Sequence, residues 1–377
     1  MVLLKSDRLS GVLKGEMRKK TAVIAMSGGV DSSVAAALLQ KDGFEVIGVT
    51  MEIFDGSTTY PEGNHHACFG PGEQQDIEDA EEVAQKLGIP YHTVNLKQEY
   101  KTSILDYFVN EYTRGKTPNP CVKCNHEMKF GAIGRELAKR GIQYDYFATG
   151  HYARVGFDSL EQKYVLKKAI DQHKDQTYFL FNLKREQLQN TLFPLGSLRK
   201  EEVREIARDL VPTVSEKKES QDFVAGGYSQ LFQNTDSSGP ILNQAGETIG
   251  EHKGVEYFTI GQRKGLGISA QEPLYVTSKD PGSKAVTVGN KNELMGKGLI
   301  ANQLNWLIYE NLHQPVRLKV KIRFQHDAVD ATVSPLADGE IKVEFDEPQF
   351  AIAPGQAVVF YKDDIVAGGG MISNEVK

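Results

Sequence analysis

Two short stretches of this chain carry residues whose types and spacing can do chemistry. The first is Ser27-Gly28-Gly29-Val30-Asp31-Ser32-Ser33, set between an apolar run at 22–26 and the helix-like Val34-Ala35-Ala36-Ala37-Leu38-Leu39. That order reads as strand, glycine loop, helix. Paired glycines let backbone N–H groups close around phosphate oxygens, and the helix start behind them adds unsatisfied donors and a favourable dipole. The expected occupant is a pyrophosphate. The loop lacks the Gly-Lys-Ser/Thr ending that grips a γ-phosphate and is not Gly-x-Gly-x-x-Gly, so neither γ-phosphate transfer nor dinucleotide binding fits it. Asp31 either caps the helix or, beside a pyrophosphate, helps hold Mg2+.

The second stretch is Thr117-Pro118-Asn119-Pro120-Cys121-Val122-Lys123-Cys124-Asn125. Its prolines fix φ and restrict the residue before each, so a stiff loop is expected to hold the thiols in place. Lys123 and Lys129 stand close to Cys124 in sequence and are expected to lower its pKa. A single Cys-x-x-Cys also suits a redox pair or half of a zinc knuckle. Beside a pyrophosphate loop, the combination points to exchange of a carbonyl oxygen for sulfur. ATP would turn the oxygen into an adenylate, and a Cys-bound sulfur would displace AMP. The remaining cysteine, Cys68, stands in a polar loop with His65 and His66. So few thiols in a reducing compartment are read as reactive or metal-binding, although Cys68 alone also fits an ordinary loop thiol.

Other elements must position these groups. After a first helix ending at Gly43, the pattern predicts a strand within 44–54, a helix through Ile77, Ala80, Val83, Ala84 and Leu87, and a strand at 91–96. Helices at 104–112 and 128–140 and a strand at 146–149, ending in Gly150-His151-Tyr152, complete the series. This is a parallel sheet with crossover helices, and ligands sit beyond the carboxyl ends of such strands. The loops at Ser27, Cys68 and Gly150 should share one face. From about residue 226 the texture changes to short strands punctuated by glycine, with a basic loop at 261–267. Alternation over 317–324 puts Leu318, Val320, Ile322 and Phe324 on one side and Arg317, Lys319, Lys321 and Arg323 on the other. That is a half-buried strand whose cationic face suits RNA or plain solvent. A similar pattern at 341–345 and a turn at Pro354-Gly355 predict a small closing β-barrel or sandwich.

A formal net charge of −6 argues against promiscuous binding to a phosphate backbone, so any RNA site must be a local patch. No apolar run reaches membrane-spanning length or a signal-peptide core, and a cytoplasmic protein with no membrane partner is expected.

The Ser-Gly-Gly-x-Asp-Ser loop is similar to that of the ATP pyrophosphatases, which split ATP between its α and β phosphates. With Thr-Pro-Asn-Pro at 117–120, Cys-Asn at 124–125, Ala-Thr-Gly-His-Tyr at 148–152, Lys-Asp-Gln at 174–176, Gly-Gln-Arg-Lys-Gly-Leu-Gly at 261–267 and Ala-Gly-Gly-Gly at 367–370, the chain resembles the bacterial tRNA-specific 2-thiouridylases. Residues 1–20, with Lys5, Arg8, Lys14, Arg18, Lys19 and Lys20 against Asp7 and Glu16, read as a flexible leader with Met17 as an alternative start, and the resemblance implies an α/β fold in which a PP-loop parallel-sheet domain at 21–225 comes next. A small central tRNA-binding domain at 226–298 and a C-terminal β-barrel at 299–377 follow. It implies ATP contacts at Ala25, Met26, Ser27, Gly28, Gly29, Val30, Asp31, Ser32, Met51 and Gly150, with Cys124 as nucleophile. Contact with a flipped wobble uridine is implied for Asn119, Pro120 and Cys121, and tRNA contact for Lys174, Asp175, Gln176, Arg323 and Phe324. The implied partners are tRNAs of the Lys, Glu and Gln type and a sulfur donor protein or sulfide.

The chain departs from its family at one point. Where typical members carry a second catalytic cysteine, Asp222 stands here, and Cys121 occupies a position that is Asp in many members. Two mechanisms follow. Either Cys121 replaces the missing partner of Cys124, or Cys121 and Cys124 ligate a [4Fe-4S] cluster with Asp222 or Cys68 as third ligand. Rival functions are an ATP-dependent amide-forming ligase with the same loop and a non-catalytic tRNA-binding or sulfur-carrier protein.

Overall fold

The computed structural model describes residues 18–56, 67–217, 222–232 and 237–377, and of Asp222 the backbone only. The expected leader, apart from residues 18–20, lies outside the described residues, as do His65 and His66.

Thr21–Ala25 reads as continuously apolar because both of its faces are covered. Ala22 and Ile24 pack with Val34, Ala35 and Leu39 of the helix Val30–Lys41, while Val23 packs on the other face with Val49, Phe147 and Met128. The strand is central in a parallel sheet ordered Tyr91–Asn95, Glu45–Glu52, Thr21–Ala25, Tyr146–Thr149, Thr191–Leu192. Growth runs outward on one side of Thr21–Ala25 first and then on the other. The order therefore reverses between Thr21–Ala25 and Tyr146–Thr149, where diverging connections open a crevice. The glycine loop leaves the first of these strands and Gly150 the second.

Two helical stretches begin earlier than their periodicity predicts, one at Lys97 rather than Ile104 and one at Pro120 rather than Met128. The second corrects the reading of the cysteine segment as a loop. Asn119 is a helix N-cap whose Oδ1 accepts from the Val122 N–H at 3.3 Å, and Pro120 takes the first helical position, where a missing N–H costs nothing.

In the C-terminal unit the strands Met295–Trp306, Ile341–Phe350, Val329–Pro335, Val316–Lys321, Ala357–Lys362 and Ile365–Val376 pair in turn, and the last pairs back onto the first. These six strands close into a barrel. Inside it Trp306 stacks on Phe360 at 5.3 Å. The strand expected to reach 324 ends at Lys321, so Arg323 and Phe324 leave the sheet. A hairpin of Arg154–Asp158 and Lys163–Lys167 in the first half pairs with the barrel where Lys167 meets Ile365.

Between these units, Gly239–Leu242, Thr248–His252, Tyr275–Asp280 and Ala285–Gly289 form a four-stranded sheet over a core of Ile241, Val276, Val286 and Val288. Lys279 ties it to the first unit, its Nζ donating to the carbonyls of Phe258 at 2.9 Å and Lys116 at 3.2 Å. Burial pulls the Lys279 pKa down to about 8. Among the described residues no helix is long and apolar enough to cross a membrane.

Candidate active site

The glycine loop is shaped by its own serines and by close backbone approach. Ser32 Oγ accepts from the Ser27 N–H at 3.1 Å and donates to the Gly29 carbonyl at 3.2 Å, and Ser33 Oγ donates to the same carbonyl at 2.9 Å. Gly28 has φ 66°, and a Cβ there would stand 2.2 Å from the Asp76 carbonyl oxygen. A Cβ on Gly150 would lie 2.7 Å from the Ser32 nitrogen, so the two loops of the crevice touch through glycine. Met26 and Val30 are buried beneath the loop, Ala25 and Met51 are half-buried, and Ser27 is exposed.

Asp31 faces two donors. Its Oδ1 accepts from the Tyr152 hydroxyl at 2.9 Å and from Lys200 Nζ at 2.7 Å. Lys200 opens the helix Lys200–Leu210, the end at which a cation is electrostatically disfavoured, and its side chain is 9% exposed. The ion pair holds an ammonium beside the phosphate cradle. Sequence reasoning missed Lys200, because one lysine in the run Arg199-Lys200-Glu201-Glu202 carries no pattern that sets it apart.

The thiol turn is held from outside. Val122, between the cysteines, is buried with Tyr178, Val359 and Tyr361 in the seam between the first unit and the barrel. The Thr117 N–H donates to the Pro354 carbonyl at 2.8 Å, and Gln356 Nε2 donates to the Thr117 carbonyl at 2.9 Å. Cys121 and Cys124 are half-buried. Burial pushes the Cys121 thiol up to about 12 and the Cys124 thiol up to about 11. This overturns the expected lowering. Lys129 does favour both thiolates, but lost solvation outweighs it, and Lys123 sits over the Tyr107 ring at 4.6 Å instead.

Lys129 links the two halves. Burial, and then the Lys129 charge, hold His151 well below its ordinary pKa, and His151 Nδ1 lies 2.7 Å from Thr149 Oγ1. One ammonium is thus a neighbour both of the thiols and of the residue that follows Gly150.

Of the residues expected to touch RNA, Asn119, Pro120 and Cys121 lie in the thiol turn, and Arg323 and Phe324 gather beside it. Phe324 packs on Phe179 at 4.4 Å, Asn125 Nδ2 donates to the Phe179 carbonyl at 3.2 Å, and Tyr178 has the Asn119 side chain and Arg323 as neighbours. Arg323 donates to the carbonyls of Phe350 and Ala351. Asp175 is buried and accepts from the Ala169 N–H at 3.0 Å and the Thr177 hydroxyl at 2.7 Å, while Gln176 Oε1 accepts from the Tyr152 N–H at 2.9 Å. These two side chains shape their loop, and Lys174 is its half-exposed cation. Arg317 pairs with Asp346 and Lys319 with Asp330, so that part of the cationic face is solvated ion pairs. Thr117 Oγ1 and Asn125 Oδ1, flanking the thiols, are buried with no partner among the described residues. Such atoms cost about 1–3 kcal/mol each until a donor reaches them.

Cys68 is exposed on Ala67–Phe69, a strand that pairs in parallel with Asp222–Val224. Among the described residues no three His, Cys, Asp or Glu side chains gather as a metal ion needs, and the Asp222 side chain lies outside them. Cys68, Cys121 and Cys124 therefore do not form the expected three-thiol set, and the set with Asp222 lies outside the described residues.

Residues 20–225 match the family described as tRNA methyl transferase HUP domain, 232–290 the tRNA methyl transferase PRC-barrel domain, and 296–372 the aminomethyltransferase beta-barrel domain. A tRNA-specific 2-thiouridylase MnmA of Acetivibrio thermocellus is 44% identical over 366 residues, covering 94% of this chain and 100% of its own. The proteins of that name from Endomicrobium trichonymphae and Desulforamulus reducens are 43% and 42% identical, over 93% and 95% of this chain and 98% of each of theirs. Likeness of that degree along nearly the whole of each relative takes in the sheet, the central unit and the barrel together, and the chain belongs to the tRNA-specific 2-thiouridylase MnmA family.

Proposed function

We propose that this protein is a tRNA-uridine 2-sulfurtransferase that uses ATP to adenylate the C2 oxygen of the wobble uridine and then replaces that oxygen with sulfur, releasing AMP and pyrophosphate. The reading is supported by a chain of neighbours: Gly150 abuts the glycine loop, and the charge of Lys129 acts both on His151, which follows Gly150, and on the thiols. A phosphate cradle in reach of nucleophilic sulfur suits activation followed by displacement.

In this reading Ala25 to Ser32, Met51 and Gly150 bind the nucleotide. The loop N–H groups and Lys200 meet the pyrophosphate, and Mg2+ arrives with the ATP near Asp31. The target base must leave its stack to expose C2. Asn119, Pro120 and Cys121 would receive it, with Arg323, Phe324 and Lys174 against the surrounding RNA and Asp175 and Gln176 positioning that loop. The unpartnered oxygens of Thr117 and Asn125 are acceptors, and the uracil edge offers an N–H. Cys124 supplies the attacking sulfur and Cys121 is its disulfide partner. No step is assigned to an iron–sulfur cluster. The tRNAs are those with Lys, Glu and Gln anticodons, and sulfur comes from a donor protein that carries it as a persulfide, whose outer sulfur passes to the Cys124 thiolate as the donor leaves as its thiol.

The test is incubation of the protein with ATP, Mg2+, a sulfur source and unmodified tRNA, with AMP and the tRNA nucleosides measured together. The wild-type protein should release AMP and form 2-thiouridine. Cys124→Ser should lose thiolation by at least about a thousandfold, as removal of a covalent nucleophile does. Unchanged turnover in that variant would favour the amide-forming ligase, and tRNA binding without AMP release the non-catalytic protein.

A further inference from the structure

The cations on the outer face of the strand Val316–Lys321 are of two kinds. Arg317 and Lys319 are neutralised by Asp346 and Asp330. Lys321, at the strand end, is half-buried and makes no ion pair among the described residues. Lys168 is its counterpart across the seam between the first unit and the barrel. It follows the hairpin strand Lys163–Lys167, is half-buried, and likewise makes no ion pair among the described residues. Its Nζ lies over the Tyr361 ring at 4.3 Å. Strand register brings Lys321 to the same ring. Lys319 stands opposite Tyr361 and Lys321 opposite Val359, and Val359 and Tyr361 face the seam while Val358 and Phe360 face the barrel interior. Lys321 is therefore the diagonal neighbour of Tyr361 on the outer face.

The carboxylates around the two amines have other partners. Asp364 pairs with Arg154 at 2.9 Å, Asp330 with Lys319 at 3.0 Å, and the buried Asp175 accepts from the Ala169 N–H and the Thr177 hydroxyl. Asp327 favours the Lys321 charge only from beyond ion-pair distance. Burial lowers the pKa of both lysines against the pull of Asp175, and each also feels another ammonium, Lys319 at Lys168 and Lys168 at Lys321. Charges that have lost solvent are ordinarily paired, so two such amines side by side form a donor set for an anion.

We propose that Lys168 and Lys321 bind backbone phosphates of the tRNA substrate beside the nucleotide that enters the thiol turn. RNA as the occupant rests on the sulfurtransferase reading above. Continuity with the turn supports the placement. Lys321 Nζ lies 5.6 Å from the Phe324 ring, Phe324 packs on Phe179 at 4.4 Å, and the Phe179 carbonyl accepts from Asn125, the residue after Cys124. Arg323, next to Phe324, donates to the carbonyls of Phe350 and Ala351, so no carboxylate cancels its charge there either. Uncancelled cations beside an exposed aromatic edge suit a phosphate chain and its base, and a chain of net charge −6 must concentrate its RNA affinity in such a patch. Phosphate contacts set where the RNA lies and leave the choice of base to the turn.

The probe is unmodified tRNA, bound to the full-length protein without ATP over a series of salt concentrations. Each phosphate contact contributes about 0.7–0.9 to the slope of log affinity against log salt. Lys168→Met and Lys321→Met should each lower the slope by about that amount and weaken binding about fivefold near 0.1 M salt, and the double variant should lower the slope by about twice as much. Lys168→Arg and Lys321→Arg keep the charge and should keep the slope. An unchanged slope in both Met variants overturns the proposal, and so does a loss that the Arg variants share, which would mark a packing role. Arg317→Met removes the same charge from the same strand, but from a pair with Asp346, and should leave the slope in place. An equal loss there would reduce the effect to net charge and overturn the proposal as well. Wild-type protein that binds tRNA with the full slope yet releases no AMP would instead strike the sulfurtransferase reading, which a binding slope does not test.

Discussion

Gly28, Ser32 and Gly150 leave two adjacent strands of one parallel sheet, whereas the turn that carries Cys121 and Cys124 is held by all three units of the molecule. Lys279 of the central unit bonds the Lys116 carbonyl, Pro354 and Gln356 of the barrel bond Thr117, and Val122 is buried between Tyr178 and Val359. The difference lies in what each half presents. A phosphate cradle consists of backbone N–H groups, which a short sequence can orient by itself. Thiol reactivity depends on how much solvent is lost, and only the assembled fold fixes that.

The sharpest way to break the contrast is at the glycine loop. Gly28→Ala forces a Cβ onto the Asp76 carbonyl at a backbone conformation that L residues adopt at a cost. Tightening or opening the cradle by an ångström should lower tRNA-dependent AMP release by about a hundredfold or more. Persulfide loading of the thiols should survive, since their supports lie elsewhere. Loss of both would mean that the two halves are one cooperative structure. Lys200→Met is the milder version, and it should lower AMP release by about ten- to a hundredfold through loss of one charge beside the pyrophosphate. Retention of activity there would reduce the Lys200–Asp31 pair to a fastening between helices.

The same contrast explains what was legible in the sequence. The run at 21–25, the glycine loop and the helix ending before Gly43 are contiguous, so strand, cradle and switch-point crevice follow from local pattern. The Asn119-Pro120 helix start was equally written there, as an N-cap followed by proline, but two prolines beside two cysteines read as a rigid loop. The strand end at Lys321 was hidden because Ile322 stays buried after the sheet stops, which prolongs the alternation. Lys200 and the clamp on Thr117 come from residues far away in sequence, and no local pattern encodes a partner at that distance. The thiol pKa values were misjudged for a related reason. Nearby lysines are visible in a sequence, and burial is not.

Titration sharpens the comparison next. Both thiols are pushed above the ordinary value of 9.0, so the thiolate fraction at either position rises about tenfold per pH unit up to about pH 11. Thiolation measured in a single turnover should climb from about pH 7 to about pH 9 with a slope that AMP release lacks. A flat thiolation profile would mean that the thiolates are already formed. The same shifts set a stability trend. The unfolded chain loses these thiol protons near pH 9 while the folded chain keeps them, so stability contributed by the buried thiols is lost as pH rises from about 9 to about 12.

The smallest effect tests whether the barrel takes part in chemistry. Gln356 reaches the active site through one hydrogen bond, from its Nε2 to the Thr117 carbonyl at 2.9 Å. A single neutral hydrogen bond is worth about 0.5–1.5 kcal/mol, and the backbone bond from Thr117 N–H to Pro354 remains in Gln356→Ala. The turn should therefore loosen without leaving its place, and thiolation should fall by about two- to tenfold. AMP release should stay level, because nothing in the glycine loop touches Gln356. An equal fall in both steps would show that the barrel acts on the whole crevice and would erase the distinction between its halves. A fall in thiolation alone would make the barrel a remote support for the nucleophile, which gives a physical reason for a closed barrel to be fused to a nucleotide-binding sheet.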